Sequence, residues 1–382
     1  MYIEIGDSIG DYLEEREKTK LEKNNIEKIL YQSVIAAQEG KHCINTESDD
    51  CAKKIYRNTE NSIVKNFFYY IYQNYSTYLS GLKDNLKNYI KIENRPVEIE
   101  KKSINNDKCC TIVNQQIAVK STFWQSVAFL PENIRDYRFF SRIALFKKHR
   151  IYDKIKYSFT REQGQGSRAV DTFNCRCKEK KFIFALIDND ISKPDGEIIE
   201  NSTADKFNKS RYITSPFGYV CILSVHELEN LFSSKPFIAK VNGHMAEEIE
   251  KYGAKSSDVR IYYDFKLGFT YKDLERNPYM KQFNLKGVKP CSQHAIGTCS
   301  HRKCQVPVLY GVGSNYLEKL FGDDPYFLED IAVIESKIKN ESKELFEQGY
   351  NELIDPIKKE WERIYNCFLT YFCSYQVNIA GA

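Results

Sequence analysis

The segment FIFALIDNDI, residues 182–191, is the feature that most constrains the fold of this chain. Its first six residues are apolar without alternation, and two carboxylates, Asp188 and Asp190, follow them. An apolar run of this kind, with no polar face, is typical of a strand that helices cover on both sides in a parallel sheet. The segment therefore predicts an α/β domain with acidic residues at the end of a central strand.

The two aspartates favour a site for a divalent cation. Strand alternation would point Asp188 and Asp190 to one side of the sheet and Asn189 to the other. Two neighbouring carboxylates repel each other unless a cation joins them, and oxygen ligands suit Mg²⁺ or Mn²⁺. The alternative is a solvated turn, because Asp and Asn are favoured wherever a strand ends.

Residues 123–233 alternate between short apolar runs and helical patterns. Strands are expected at 125–130, 155–159, 181–187 and 219–225, and helices at 134–147, 168–177 and 226–233. Strands that alternate with helices predict a mainly parallel sheet, in which binding sites form beyond the carboxyl ends of the strands.

The rest of the chain is expected to flank this sheet with helices. Four regions are expected: 1–120, helical with a linker; 121–235, the α/β domain; 236–323, a mixed segment; and 324–382, helical. Within the first region, 94–120 could be a linker or a strand pair. Apolar residues between Val64 and Leu82 recur at steps of three and four, which indicates either a packed helical hairpin or a dimerisation coiled coil. Asp324 and Pro325 are typical of a helix start, and Pro356 of a break.

Composition places the chain among globular proteins of the cytoplasm. Of its 382 residues, 42% are hydrophobic and 28% charged, and the net charge of +4 permits an anionic partner without requiring one. The N-terminus has no apolar signal segment, and no stretch approaches the roughly 18 apolar residues of a membrane span. The 12 cysteines follow no regular framework, so reduced thiols are expected.

A second strand also ends in a carboxylate. In VAFLPENIRDYRFFSRIALF, residues 127–146, an apolar run leads to Glu132, and Asp136 follows four residues later on a helix. The order strand–Glu–x–x–x–Asp–helix, then strand–Asp–x–Asp, resembles the TOPRIM domain of topoisomerases, bacterial primases and OLD-type nucleases. The Glu of that family usually precedes Gly, and Asn133 stands here, a residue that tolerates left-handed backbone. The segment FGYVCILSVHELENLF, residues 217–232, is similar to TOPRIM-like proteins of phage-defence operons.

The resemblance implies metal-dependent cleavage of nucleic acid. The residues that it implies as catalytic are Glu132, Asp188, Asp190 and Glu229. Of these, Glu132 would be a ligand or general acid–base and the aspartates would hold Mg²⁺ or Mn²⁺. Either Glu229 or Glu227 would complete a second metal site. Asp136 would orient a ligand, and His226 is either a base or a capping and packing residue.

Three functions are compatible with this pattern. The first is a nuclease that acts as an effector in bacterial anti-phage defence. The second is a non-catalytic TOPRIM-like binding or scaffold subunit of a defence complex. The third, a primase or topoisomerase, lacks a polymerase partner motif and a topoisomerase tyrosine context. No G-x-x-x-x-G-K-[ST] sequence is present, and the resemblance implies an ATPase partner of the ABC or AAA type.

Basic residues surround the expected site. Nucleic-acid contacts are expected from Lys147, Lys148, Arg161 and Arg168. The segment REQGQGSRAV, residues 161–170, contains a Gly-rich turn that could receive a phosphate ahead of a helix, or could be a flexible surface loop. Whether the protein forms a homo-oligomer stays open.

A dense group of thiols and imidazoles lies in KPCSQHAIGTCSHRKCQVP. It contains Cys291, His294, Cys299, His301 and Cys304. Four of these, above all Cys291, His294, Cys299 and Cys304, could close a tetrahedral structural Zn²⁺ site. The spacing differs from the usual paired C-x-x-C pattern, so a set of reduced thiols on a basic loop is the alternative.

Overall fold

The computed structural model of this chain is a mixed α/β protein with two main sheets. It describes residues 1–15, 20–105, 108–148, 155–166, 168–191, 193, 196–232, 236, 259–262, 264, 268–270, 307–310, 316–322, 324, 329–340 and 343–377. The strands are β1 Tyr2–Ile5, β2 Cys43–Thr46, β3 Asn88–Glu93, β4 Ile99–Asn105, β5 Lys108–Asn114, β6 Ala128–Pro131, β7 Lys156–Tyr157, β8 Thr160–Arg161, β9 Ile183–Ile187, β10 Gly218–Ile222, β11 Gly268–Thr270, β12 Pro307–Tyr310 and β13 Cys373–Ser374.

Helices connect and cover these strands. They are α1 Asp7–Glu14, α2 Lys20–Gln38, α3 Asp49–Asn58, α4 Ser62–Asn74, α5 Gln115–Ala118, α6 Tyr137–Lys148, α7 Ala169–Lys178, α8 Thr203–Asn208, α9 Val259–Tyr262, α10 Tyr316–Phe321, α11 Ile331–Asn340, α12 Lys343–Glu352 and α13 Asp355–Phe372. Short 3₁₀ turns lie at Lys83–Asn85, Ser121–Trp124, Ile134–Asp136 and Leu228–Phe232. Among the residues described, no helix is both long enough and apolar enough to cross a membrane.

The first 120 residues contain a sheet, which differs from the helical region expected there. Five strands lie in the order β2-β1-β3-β5-β4, and all neighbours are parallel except β4 and β5. Helix α4 ends at Asn74, before the end of the apolar seam at Leu82, and residues 88–93 of the region expected to be helical form β3. Of the two alternatives for 94–120, the strand pair is present as β4 and β5. Strands β1 and β2 carry polar residues among their apolar ones and β4 is mostly exposed, so none of them shows the continuous apolar run that revealed β9.

The apolar seam between Val64 and Leu82 packs inside the chain. Val64, Phe68 and Ile71 on α4 are fully buried, and they belong to the core that the N-terminal sheet and its helices share. Asn61 caps this helix by accepting hydrogen bonds from the N–H groups of Ile63 and Val64. The seam therefore serves as a packed helix face, which favours the hairpin interpretation over the coiled coil.

The second sheet confirms the prediction of a mainly parallel α/β fold. Its strands lie in the order β10-β9-β6-β8, and every neighbouring pair is parallel. The apolar run of residues 182–187 forms β9, which is central and buried along its whole length. Pairing of Pro131 with Leu186 and of Ile222 with Ile187 brings the carboxyl ends of β6, β9 and β10 to the same edge.

Helices cover both faces of this sheet. On one face, Phe129 and Phe184 pack against Phe372 of α13, with α6 beside it. On the other face, Ala185 and its neighbours pack against Phe173 of α7 and against α8. The non-alternating strand is thus explained by burial on two sides.

The C-terminal helices pack against the second sheet and contribute to the hydrophobic core. Asp355 begins α13 with Pro356 in its first turn, so the expected break at this proline is a helix boundary. Trp361 is fully buried, and its indole N–H donates to the carbonyl of Leu231 at 3.0 Å. After α13, strand β13 pairs with β7. Pro325 lies outside the described residues.

Candidate functional site

The carboxyl edge of the second sheet gathers acidic residues from three segments. Glu132 directly follows β6, Asp188 directly follows β9, and Glu229 lies in the 3₁₀ turn Leu228–Phe232 after β10. Asp188 and Glu229 are buried, whereas Glu132 is half-buried. These positions follow from the parallel register, because neighbouring parallel strands end at the same edge.

Hydrogen bonds fix the carboxylate of Glu132 and that of Asp188. The Thr203 hydroxyl, at the start of α8, donates to Glu132 Oε1 at 2.9 Å, and the Asp188 backbone N–H donates to Glu132 Oε2 at 3.3 Å. The backbone N–H of Leu228 donates to Asp188 Oδ1 at 3.1 Å. Each acidic side chain is thereby tied to the backbone of another element, which fixes its place at the sheet edge.

The Gly-rich segment packs against the backbone at Glu132. The N–H of Gly166 donates to the Glu132 carbonyl at 3.1 Å, and Gln165 forms a β-bridge with Asn133. A Cβ atom on Gly164 would lie 1.8 Å from the carbonyl oxygen of Pro131, so only glycine fits there. The segment is therefore a packed support for Glu132 in this structure, which neither the phosphate-loop nor the flexible-loop interpretation anticipated.

Asn133 and Asp136 form a capping box. The Asn133 N–H donates to Asp136 Oδ2 at 3.0 Å, and Asn133 Oδ1 accepts from the Arg135 N–H at 3.1 Å. The φ angle of Asn133 is −114°, so the turn after Glu132 needs no left-handed residue. Asp136 therefore has a local structural task, because its carboxylate caps the 3₁₀ turn that leads into α6.

One cavity of about 430 Å³ opens at this edge. Its described lining residues are Glu132, Asn133, Arg135, Asp136, Phe139, Gly166, Asp188, Glu229, Leu317 and Glu318. Three of the four residues expected to be catalytic thus face a common space. Arg135 and Glu318 also line the cavity and Thr203 holds Glu132, although none of the three was expected at the site from the sequence.

Asp190 and Glu227 are not among the described residues that line this cavity. Strand β9 ends at Ile187 and Asp190 has a φ angle of 59°, so the alternation expected to align the two aspartates stops before them. The Asp190 N–H donates to the carbonyl of His226 at 2.8 Å. Glu227 is buried, and its N–H donates to Asn230 Oδ1 at 2.9 Å, which caps the turn.

His226 joins loops at this edge. Its Nδ1 lies 3.1 Å from the Ile191 carbonyl oxygen, and its backbone N–H donates to the carbonyl of Ile261 at 2.8 Å. These contacts match the packing alternative for His226. The helix expected over 226–233 is a 3₁₀ turn at Leu228–Phe232.

The chemistry of the cavity suits a hard divalent cation. Glu132, Asp188 and Glu229 offer only oxygen ligands, as Mg²⁺ and Mn²⁺ prefer. Within the part of the chain that the structure describes, no three His, Cys, Asp or Glu side chains already stand close enough together to hold a metal ion. The donor types fit such an ion, and a shift of side chains within the cavity would have to complete the ligand set.

Of the four basic residues expected to bind nucleic acid, two are buried. Lys147 forms an ion pair with Glu362 of α13, and Lys148 forms one with Glu335 of α11 at 2.9 Å. Their side chains are 8% and 1% exposed, so neither ammonium group can reach a phosphate in this conformation. The helical periodicity of 134–147 did not reveal this, because a late helix of the chain covers the basic end of α6.

The two arginines lie nearer to solvent. Arg161 donates to the Tyr137 hydroxyl at 3.1 Å and lies 3.7 Å from Asp330, while Arg168 is exposed just before α7. The expected zinc ligands Cys291, His294, Cys299 and Cys304, together with His301, lie outside the described residues.

Helix α10 closes one side of the cavity. Leu317 and Glu318 line the cavity, and Glu318 forms a buried ion pair with Arg138 of α6, with 3.5 Å between Arg138 Nη2 and Glu318 Oε1. A helix from the C-terminal part of the chain therefore contributes to a site that the sequence places between residues 132 and 229.

Comparisons with known proteins found no relative of this chain. No protein-family model, no curated protein and no solved structure matches it.

Proposed function

We propose that this chain is a Mg²⁺- or Mn²⁺-dependent nuclease of the TOPRIM type that hydrolyses phosphodiester bonds of DNA or RNA. The observation that carries the proposal is the cavity beyond β6 and β9, which Glu132, Asp188 and Glu229 line from three separate segments. A protein that only binds a partner has no need to gather buried carboxylates at one edge, because their mutual repulsion opposes folding.

Each residue has a distinct task in this proposal. Glu132, Asp188 and Glu229 would hold the cation, which when bound polarises a phosphoryl oxygen and lowers the pKa of a water molecule. Thr203 and the Asp188 backbone keep the Glu132 carboxylate at the strand end. Arg135 lines the same cavity, where its guanidinium can donate to a phosphate oxygen and orient the substrate.

The biological setting is proposed on the resemblance to TOPRIM-like defence proteins. An effector of anti-phage defence would act in the cytoplasm, and an ATPase partner of the ABC or AAA type would control it. The sequence supports an external ATPase because it contains no P-loop motif of its own.

Cleavage assays test the proposal. Plasmid DNA and tRNA are incubated with the purified chain and Mg²⁺, Mn²⁺ or a chelator, and Glu132→Gln and Asp188→Asn are compared with the wild type. The matched control is Glu47→Gln, which removes an acidic residue just after a strand of the other sheet. We expect metal-dependent cleavage by the wild type and the control and none by the two site variants. Equal cleavage by all four proteins contradicts the nuclease proposal.

Titration of Mn²⁺ by calorimetry gives a readout that is independent of the substrate. The wild type and Glu47→Gln should bind the ion, and Asp188→Asn should bind it at least about tenfold more weakly, because a ligand is lost. Absence of any saturable binding to the wild type contradicts the metal site itself.

A second candidate is a non-catalytic subunit with a TOPRIM-like shape. The absence of a ready set of three metal ligands among the described residues favours it, as does the burial of Lys147 and Lys148. In this case the protein would bind nucleic acid or a partner without cleaving, and Asp188→Asn would leave that binding unchanged.

A further inference from the structure

Helix α6 is buried along its whole length although it is strongly basic. All 12 of its residues are buried, and four of them carry a positive charge: Arg138, Arg142, Lys147 and Lys148. A helix that is covered all round is normally apolar all round, because each charge that leaves water costs free energy. The basic residues of α6 therefore need an explanation beyond packing.

One segment, residues 329–340, neutralises much of this charge. It comprises Glu329, Asp330 and α11, and we call it the cover segment. Its ion pairs with α6 and β8 are Glu329 with Arg142 at 3.7 Å, Glu335 with Lys148 at 2.9 Å and Asp330 with Arg161 at 3.7 Å. Arg161 of β8 adjoins α6, because it donates to the hydroxyl of Tyr137 at 3.1 Å. Three carboxylates of the cover segment thus stand beside three cations.

Charge, more than apolar burial, attaches the cover segment. Only Ile334 and Ile338 of the ten residues of α11 are buried, whereas nine of the 18 residues of α13 are. Glu329 is buried as well, but its Oε2 atom accepts no hydrogen bond from any residue that the structure describes. Such a pair returns less free energy than the desolvation of its charges costs, so an anion with better hydrogen bonding can displace the carboxylate.

We propose that the cover segment occupies a binding surface for the sugar–phosphate backbone of nucleic acid, and that nucleic acid displaces it. The three cations would then hold phosphate groups in place of the three carboxylates, so that one kind of anion replaces another. This inference rests on the proposed function, from which it takes nucleic acid as the ligand. It adds to that function a binding surface and a means of control.

The surface leads away from the candidate site along α6. Phe139, in the first turn of the helix, lines the cavity. At a rise of about 1.5 Å per residue, Arg142 and Lys148 follow it by about 5 and 14 Å along the helix axis. A strand with one phosphate in the cavity would therefore continue over these cations. The cover segment blocks this path, so the chain would bind nucleic acid weakly until the segment is displaced.

Binding without cleavage tests the proposal. Fluorescent single-stranded DNA and RNA oligonucleotides are titrated with a chelator present, over a series of salt concentrations. Glu329→Gln combined with Glu335→Gln should bind at least about tenfold more tightly than the wild type, because the open state is more populated. Its affinity should also fall more steeply with salt, because about two further phosphates are contacted. The matched control, Glu344→Gln combined with Glu352→Gln, makes the same change in net charge at two exposed residues of α12 and should equal the wild type.

Two further measurements place the effect at α6. Adding Lys148→Gln to the double variant should reduce the gain in affinity and remove about one phosphate contact from the salt dependence. Hydrogen exchange of the wild type needs no variant: bound oligonucleotide should speed amide exchange in α11 and leave that in α13 unchanged.

Two outcomes overturn the proposal. One is equal affinity of the double variant and the matched control, including absence of binding to both. The other is that the amides of α11 exchange no faster at oligonucleotide concentrations that saturate the wild type. These outcomes differ from a failure of the nuclease proposal. Cleavage without the gain in affinity would retain the nuclease and remove the cover, and the gain without cleavage would do the reverse.

Discussion

The two main sheets both end in carboxylates, but they surround them differently. In the N-terminal sheet, Lys91 of β3 bonds Glu47 at 2.6 Å and Glu93 at 2.8 Å. Burial raises the pKa of Glu47, but the hydrogen bond from Lys91 and that from the Asp7 N–H outweigh it and hold the pKa below its usual value. In the second sheet, Glu132 and Asp188 accept from backbone N–H and hydroxyl groups and line a cavity.

The comparison shows what an acidic strand end does and does not indicate. A carboxylate after a parallel strand is common to both sheets, so its position alone does not identify a site. An internal lysine satisfies the charges of the first sheet, whereas the second sheet presents its carboxylates to a space large enough for an ion and part of a substrate. The neighbours of the carboxylate therefore distinguish a structural edge from a candidate site.

The largest effect is expected from removing one cavity carboxylate. Asp188→Asn should lower metal-dependent cleavage by at least about a hundredfold, because the amide is a poor ligand for Mg²⁺. Glu47→Gln, the corresponding change in the N-terminal sheet, should stay within about twofold of the wild type. Initial rates at saturating Mg²⁺ measure both. A similar loss in the two variants would erase the distinction between the sheets.

A large loss of stability is expected from Gly164→Ala. Its Cβ would collide with the Pro131 carbonyl, so the support under Glu132 would have to move, at about 2–3 kcal/mol in the free energy of unfolding. Gly10→Ala in α1 meets its nearest atoms at 3.4 Å and should change that free energy by less than about 1 kcal/mol. Urea unfolding of the two variants compares them. A smaller loss of stability for Gly164→Ala than for Gly10→Ala would show that the packing of the Gly-rich segment against Glu132 is dispensable for folding.

Acid should weaken the N-terminal half through His42. This side chain is fully buried just before β2, its Nε2 lies 3.1 Å from the Gln125 carbonyl, and burial lowers its pKa well below the usual value. Below about pH 6.5 the unfolded chain protonates this imidazole, whereas the folded chain keeps it neutral. The free energy of unfolding is therefore at its full value above that pH and decreases as the pH falls below it.

The expected size of this loss is about 1.4 kcal/mol for each pH unit between 6.5 and the lowered pKa of the folded state. Urea unfolding at pH 7.5 and pH 5 measures it for the wild type and for His42→Gln. The variant should be less stable at pH 7.5 but should lose less on acidification. Equal losses in both proteins would place the acid sensitivity elsewhere.

The smallest effect is expected from Lys91→Met. It would leave Glu47 and Glu93 without their shared ammonium group, at about 1 kcal/mol of stability, because the lysine is partly buried but the pairs stay near solvent. Added Mg²⁺ should restore part of this loss in the variant and should not act on the wild-type sheet. Unfolding midpoints of both proteins with and without Mg²⁺, at matched ionic strength, measure this difference.

The sequence predicted the apolar strands of the second sheet and missed most strands of the N-terminal sheet. The run 182–187 identified β9 because no alternation survives when both faces are buried. Strands β1 and β2 mix polar residues with apolar ones, and β3 follows a helical pattern that continues past the true end of α4, so local pattern did not distinguish them from their surroundings.

The residues of the candidate site were likewise predicted only in part. Glu132 and Asp188 follow strands that the pattern revealed, and parallel pairing then places them together. Asp190 lies beyond the end of β9 at Ile187 and has a φ angle of 59°, so the strand alternation from which its orientation was predicted does not extend to it. Glu318 and the partners of Lys147 and Lys148 come from helices late in the chain, and only the folded structure brings them to α6 and the cavity.

The position of α13 also sets an order for folding during translation. Phe129 contacts the rings of Phe140 and Phe159, but Phe368 and Phe372 of α13 also pack on it, so this face of the second sheet is only partly covered until the ribosome has made α13. The N-terminal sheet takes all its strands from the first 114 residues and can pair them much earlier. The second sheet therefore completes its packing only after α13 has been synthesised, well after the strands of the N-terminal sheet are available.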